Sequence, residues 1–132
     1  MILCGISISS SEATLVWLDD GSLQLIGAHK VLLTDPYDPE DLARTGELIR
    51  QFLVEKKTEL VVVRKSSIAG KFGAGHIAFR LETVIAMSVP CDLAFVSPQS
   101  VAAFVKRENS VFPCGLKKYQ QNAYLVALTK IG

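Results

Sequence analysis

The chain has 132 residues, 49% of them hydrophobic, enough for one continuous core and the usual size of a single domain. Lys and Arg number 14 against 13 Asp and Glu, for a net charge of +1, so no global charge marks a nucleic-acid or membrane-surface binder and any basic patch must be local. No apolar run reaches the ~18–20 residues of a membrane span, because Arg80 and Glu82 interrupt the longest helical candidate.

Residues 2 to 8 are apolar and β-favouring, as are residues 12 to 18, and Asp20-Gly21 then predicts a hairpin turn into residues 23 to 33. Asp35-Pro36 and Asp38-Pro39 break the sheet, with Asp38 placed to cap a helix that Pro39 opens. Leu42, Ile49, Phe52 and Leu53 follow at helical spacing to about Lys57. The run Leu60 to Val63 lacks alternation, which predicts a central strand covered on both faces and, being reached through a helix, parallel to its neighbour.

A glycine-rich loop is expected over residues 66 to 75, then a helix whose inner stripe is Ile77, Leu81, Val84, Ile85 and Ser88, ended by Pro90. Residues 92 to 96 form a fifth strand, Ser97-Pro98 starts a short helix through Val105, and KRENSVFPCG is a polar connection. The final helix is expected from about Leu116, with Gln120, Ala123, Tyr124, Ala127 and Ile131 along one face. The order β-β-β-α-β-α-β-α-α specifies an α/β fold with a mixed sheet and helices on both sides. Cys4, Cys91 and Cys114 are odd in number, form no CxxC pair and follow no signal peptide. They read as small buried apolar residues of a cytoplasmic protein.

LCGIS in the first strand, ELIRQFLVEKKTELVVV leading into the fourth, HIAFRLETVIAM followed by CDLAFVSPQSVAAFVK, and NAYLVALT in the last helix carry a resemblance. In this order they resemble RuvC-type Holliday junction resolvases of the ribonuclease H-like superfamily, and among these the small bacterial proteins without an assigned function. The resemblance covers nearly the whole chain and implies one domain over residues 1 to 132, with a mixed five-stranded sheet and helices on both faces. It also implies catalytic acids: an aspartate on the first strand, a glutamate ending the fourth and further aspartate on the last helix. Those positions fall here on Ser7, on Arg64 or Lys65, and on Asn122. Two-metal phosphoryl chemistry needs several carboxylates around hard cations. Without them no catalytic residue, metal or cofactor is expected.

A cationic side chain at that place repels a divalent metal and attracts phosphate. The candidate anion-binding set is therefore Ser7, Arg64, Lys65, Ser66, Lys71, His76, Lys118 and Asn122, with Ser67, Arg80 and Lys117 nearby in the predicted arrangement. Backbone N–H groups at the helix opening near His76 would add donors. GKFGAG lacks the GxxxxGK[ST] pattern, so a nucleoside triphosphate is not indicated. The bland reading is that these cations are ordinary solvated groups.

Other polar residues have simple structural explanations. His29 lies in a strand with no second ligand near it in sequence, Ser7 lacks a sequence-adjacent base, and Trp17 reads as core. Asp35, Asp38, Glu40 and Asp41 fit turn and helix-cap roles. Three functional readings follow. The first is a non-catalytic RuvC-like domain that binds nucleic acid or another phosphate-bearing ligand. The second is a structural or regulatory interaction module, including a homodimer. The third is a divergent nuclease with a metal site rebuilt from acids such as Glu12, Asp38 or Glu40.

Overall fold

The computed structural model describes residues 1–65, 75–108 and 116–131. Strand β1 (Ile2–Ser9) turns through Ser10 into β2 (Glu12–Asp19), which pairs antiparallel with it and with β3 (Leu25–Leu32). The β2–β3 turn is closed by Asp19, whose carboxylate accepts the Gly21 amide at 2.8 Å and the Ser22 amide at 3.3 Å. This is the turn expected at Asp20-Gly21.

Helix α1 (Pro39–Glu55) follows, with Asp38 as its N-cap accepting the Glu40 amide at 3.1 Å. It leads to β4 (Leu60–Arg64), which pairs parallel with β1 as expected of a helical crossover. Helix α2 (Gly75–Ser88) then leads to β5 (Asp92–Val96), parallel to β4. The sheet order is β3-β2-β1-β4-β5. The predicted glycine-rich loop lies largely outside the described residues, as does Cys114.

Alternation along the central strands sorts the core into two layers. Cys4, Ile6, Leu15, Trp17, Val61 and Val63 pack beneath α1 and α2 with Ile49, Leu53, Leu81 and Ile85. On the opposite face Val16, Leu18, Val62 and Val96 meet α3 (Pro98–Glu108) and α4 (Gln121–Leu128). Gly5 belongs to this second face: a Cβ there would lie 2.8 Å from the Ala127 amide nitrogen, so the missing side chain lets α4 lie directly on β1.

Two helix boundaries differ from expectation. Helix α3 runs three residues past Val105, ending with Lys106 and Arg107 in a last turn whose carbonyl dipoles favour cations. The last helix starts at Gln121 rather than near Leu116, after a 3-10 turn over Lys118–Gln120. There the Gln120 side chain accepts the Lys117 amide at 2.9 Å, satisfying a donor that would otherwise be left open at the start of the turn. Cys4 is fully buried, and burial raises its pKa, keeping the thiol protonated; burial also raises that of the partly buried Cys91.

Candidate anion-binding site

A row of polar side chains crosses the α4 face where β1 and β4 approach their carboxyl ends. Ser7 pairs with Thr14, and Thr14 with Lys30. Ile6 and Val63 are the last register partners between β1 and β4, so the next residues, Ser7 and Arg64, stand side by side. Alternation puts both on the face shared with Gly5 and Val62. Ser7 and Thr14 are 8% and 7% exposed.

Arg64 is half-buried, and its Nε is fully buried with no hydrogen-bond partner among the described residues. A buried donor left without an acceptor costs about 1–3 kcal/mol, more when it belongs to a charged group. At the far end of the row Lys30 is held by Glu12 at 3.4 Å and lies 4.4 Å from the centre of the Tyr119 ring. Lys30 and Glu12 are both well exposed, so their ion pair contributes little.

The structure redistributes the residues expected at one site. Ser7 and Arg64 come together, whereas Lys65, the alternative to Arg64, lies one position beyond the strand and lines a separate cavity. Asn122 is exposed at the start of α4, while its neighbours Ala123 and Tyr124 face the core. Lys117 and Lys118 are exposed around the 3-10 turn, on the β2 side of the molecule. Arg80 is on the opposite face, 4.5 Å from the Tyr37 ring centre. Ser66, Ser67 and Lys71 lie outside the described residues, and His76 falls in the first turn of α2 with its side chain likewise outside them.

Thr14 and Lys30 were absent from the sequence-derived set. Their link to Ser7 depends on strand register, and a register shift between Trp17 and Leu18 offsets β3 by one residue from a simple count back from the turn. A one-residue offset moves a side chain to the other face of the sheet.

The acids considered for a rebuilt metal site do not converge. Glu12 pairs with Lys30, Asp38 caps α1, and Glu40 is exposed in the first turn of α1. Among the described residues no three His, Cys, Asp or Glu side chains are grouped to hold a metal ion. His29 is packed between aromatic rings, stacked on Phe52 at 4.2 Å and edge-on to Trp17 at 5.6 Å.

Beyond the end of the sheet, β5, α3 and the end of α4 border an open cavity of about 530 Å³. Lys65, Arg107 and Lys130 line it with Ser97, Ser100 and Thr129. Ser97 opens α3, its hydroxyl accepting the Ser100 amide at 3.1 Å and lying 2.9 Å from the Ser100 hydroxyl. A second concavity, about 800 Å³, lies between α1 and α2, with Leu42, Phe79, Val84 and Met87 among its walls.

The sheet order and the helices on both faces give a ribonuclease H-like α/β fold, similar to that of RuvC. The chain belongs to the family described as "Protein of unknown function (DUF3010)", whose pattern matches residues 1–130. RuvC of Thermus thermophilus in complex with a Holliday junction substrate is similar at a TM-score of 0.74 and 16% identity, covering 98% of this chain and 91% of that one. A second Thermus thermophilus RuvC structure gives 0.73 and 16%, covering 98% and 92%. The yeast mitochondrial Holliday junction resolvase Ydc2 gives 0.57 and 14%, covering 81% and 55%. No curated protein matches the chain. Among the described residues no helix is long and apolar enough to cross a membrane.

Proposed function

We infer that this chain is a non-catalytic RuvC-like domain that binds nucleic acid through its phosphates, at the carboxyl ends of β1 and β4. The observation that carries the reading is Arg64 beside Ser7, half-buried and with no acceptor for its Nε among the described residues. Arg64 stays partly exposed, and its guanidinium fork suits phosphate in particular. On the resemblance, the resolvases' acids would fall on Ser7, on Arg64 or Lys65, and on Asn122, none of them a carboxylate. A divalent cation would find no carboxylate there to offset its dehydration.

The test is a fluorescence-anisotropy titration of single-stranded, duplex and four-way-junction oligonucleotides over a salt series. Binding is expected to weaken steadily as salt rises, through counterion release. Absence of salt-sensitive binding to every substrate would overturn the reading. The non-catalytic half is checked with Mg²⁺ and Mn²⁺ on the same substrates. Cleavage by the pure protein that disappears in Glu12→Gln would establish a rebuilt nuclease instead.

A second reading, self-association, is favoured by the concavity between α1 and α2. Met87 on its rim is 83% exposed and Val54, further along α1, 56% exposed. Glu47 and Arg50, one turn apart on α1, also line it. A two-fold contact between copies could cover the apolar wall and set Glu47 of one against Arg50 of the other. Light scattering across a concentration series tests this: a dimer should be lost in Met87→Glu, and a monomer at every concentration would remove the reading.

A further inference from the structure

We propose that the cavity between β5, α3 and the end of α4 is a second, separate anion site, which takes the terminal phosphomonoester of a nucleic-acid strand. The proposal rests on the nucleic-acid reading above for its ligand and on different residues for its chemistry.

Three cations from three separate segments meet there: Lys65 after β4, Arg107 from α3 and Lys130 after α4. Among the described residues no Asp or Glu lines the cavity. Neither Lys65 nor Lys130 makes an ion pair among the described residues. Arg107 meets Glu108 through Nε at 3.0 Å, but both side chains are largely exposed, and such a pair yields readily to a stronger anion.

The neutral lining is equally suited to oxyanions. Ser97, Ser100 and Thr129 bring hydroxyls to the cavity, and the first turn of α3 brings the positive end of an 11-residue helix. Thr129 Oγ1 donates to the Val126 carbonyl at 2.7 Å, so toward a ligand it can only accept. Ser97 Oγ likewise donates to Ser100 Oγ at 2.9 Å, so the donors on offer are the Ser100 hydroxyl and the three cations.

Charge and size select the ligand. A phosphomonoester carries about −1.5 to −2 charges at neutral pH, against −1 for an internal phosphodiester, so a three-cation cavity favours a strand end over its middle. A volume of about 530 Å³ exceeds what one phosphate fills and falls in the range of sites that hold a small organic ligand, so the nucleotide bearing the phosphate has room to enter.

The experiment compares oligonucleotides of one sequence ending in a phosphate or a hydroxyl, with inorganic phosphate and a nucleoside monophosphate as free probes. The phosphorylated strand is expected to bind roughly tenfold tighter, the effect of one or two charge-assisted bonds. The ratio of the two affinities should fall to about one in the Arg107→Ala/Lys130→Ala variant, both positions being exposed. Equal affinity of the two strands for the unmodified protein overturns this proposal and leaves the nucleic-acid reading standing. Binding of the free probes alone, lost in the variant, supports the phosphomonoester site and overturns the nucleic-acid reading. Binding of nothing overturns both.

Discussion

Gly5 of β1 lies directly beneath Ala127 of α4, close enough that a Cβ on Gly5 would meet the Ala127 amide nitrogen at 2.8 Å and its Cβ at 2.9 Å, and would overlap the Ala123 carbonyl oxygen. Those obstacles are mostly backbone, so the helix itself would have to move. Gly46 is crowded differently: a Cβ there meets the Ser88 hydroxyl, the movable end of a side chain, at 2.6 Å. Gly5→Ala should therefore destabilise by about 1–3 kcal/mol, as overpacking in a closed core does, and Gly46→Ala by clearly less. Urea unfolding of both variants checks the order. Equal costs would mean that α4 is not seated on β1 as described.

Trp17 carries the only indole of the chain into the α1-side core, where its Nε1 donates to Thr58 Oγ1 at 2.8 Å. This bond ties β2 to the segment that enters β4. Trp17→Phe and Thr58→Val each strand one buried polar partner, and each should cost about 1–3 kcal/mol. The double variant should cost less than the sum, because the second change removes the orphan left by the first. Additive costs in a double-mutant cycle would show that the two groups are not coupled.

The elements were readable in the sequence because each has a local cause. The Asp-Gly turn, the Asp38-Pro39 helix start and the unbroken apolar run Leu60–Val63 each specify their structure within a few residues. The parallel β1–β4 pairing followed from the crossover rule. The site was only partly readable, because its composition depends on which face each side chain takes. Arg64 and Lys65 are adjacent in sequence and go to different places: one lies along the α4 face beside Ser7, the other lines the cavity beyond the strand. Arg107, Lys130 and Thr129 meet Lys65 only through the packing of α3 and α4 on the sheet, and no local pattern announces that.

Asp41 makes the start of α1 sensitive to acid. Its carboxylate accepts the Asp35 amide and binds Arg44, and these hydrogen bonds lower its pKa from the ordinary carboxylate value of about 3.9. A pKa depressed by folding contributes stability that is fully present above the unfolded value and is lost as pH falls through the folded one. Asp41→Asn should therefore be less stable than the parent protein at neutral pH, with the difference closing below about pH 4. Thermal unfolding of both proteins from pH 7 to pH 2.5 measures this. A constant gap across that range would assign the loss to something other than the carboxylate's charge.

Arg64 is the residue at which stability and binding should part. Its buried Nε lacks an acceptor among the described residues, so the protein carries a cost there, while the side chain stays partly exposed for a ligand. Arg64→Met keeps the aliphatic length and removes the donor; replacing a poorly compensated buried charge by an apolar side chain is often neutral or stabilising. The variant is expected to unfold at the same or a higher urea concentration and to bind oligonucleotides about tenfold more weakly, the loss of one charge-assisted contact. Arg64→Glu should lose binding altogether, since it puts a negative charge where phosphate would sit. Marked destabilisation of Arg64→Met with unchanged affinity would make Arg64 a structural residue and remove it from the anion site. The opposite pattern, weaker binding without loss of stability, is what a group held ready for a ligand should give.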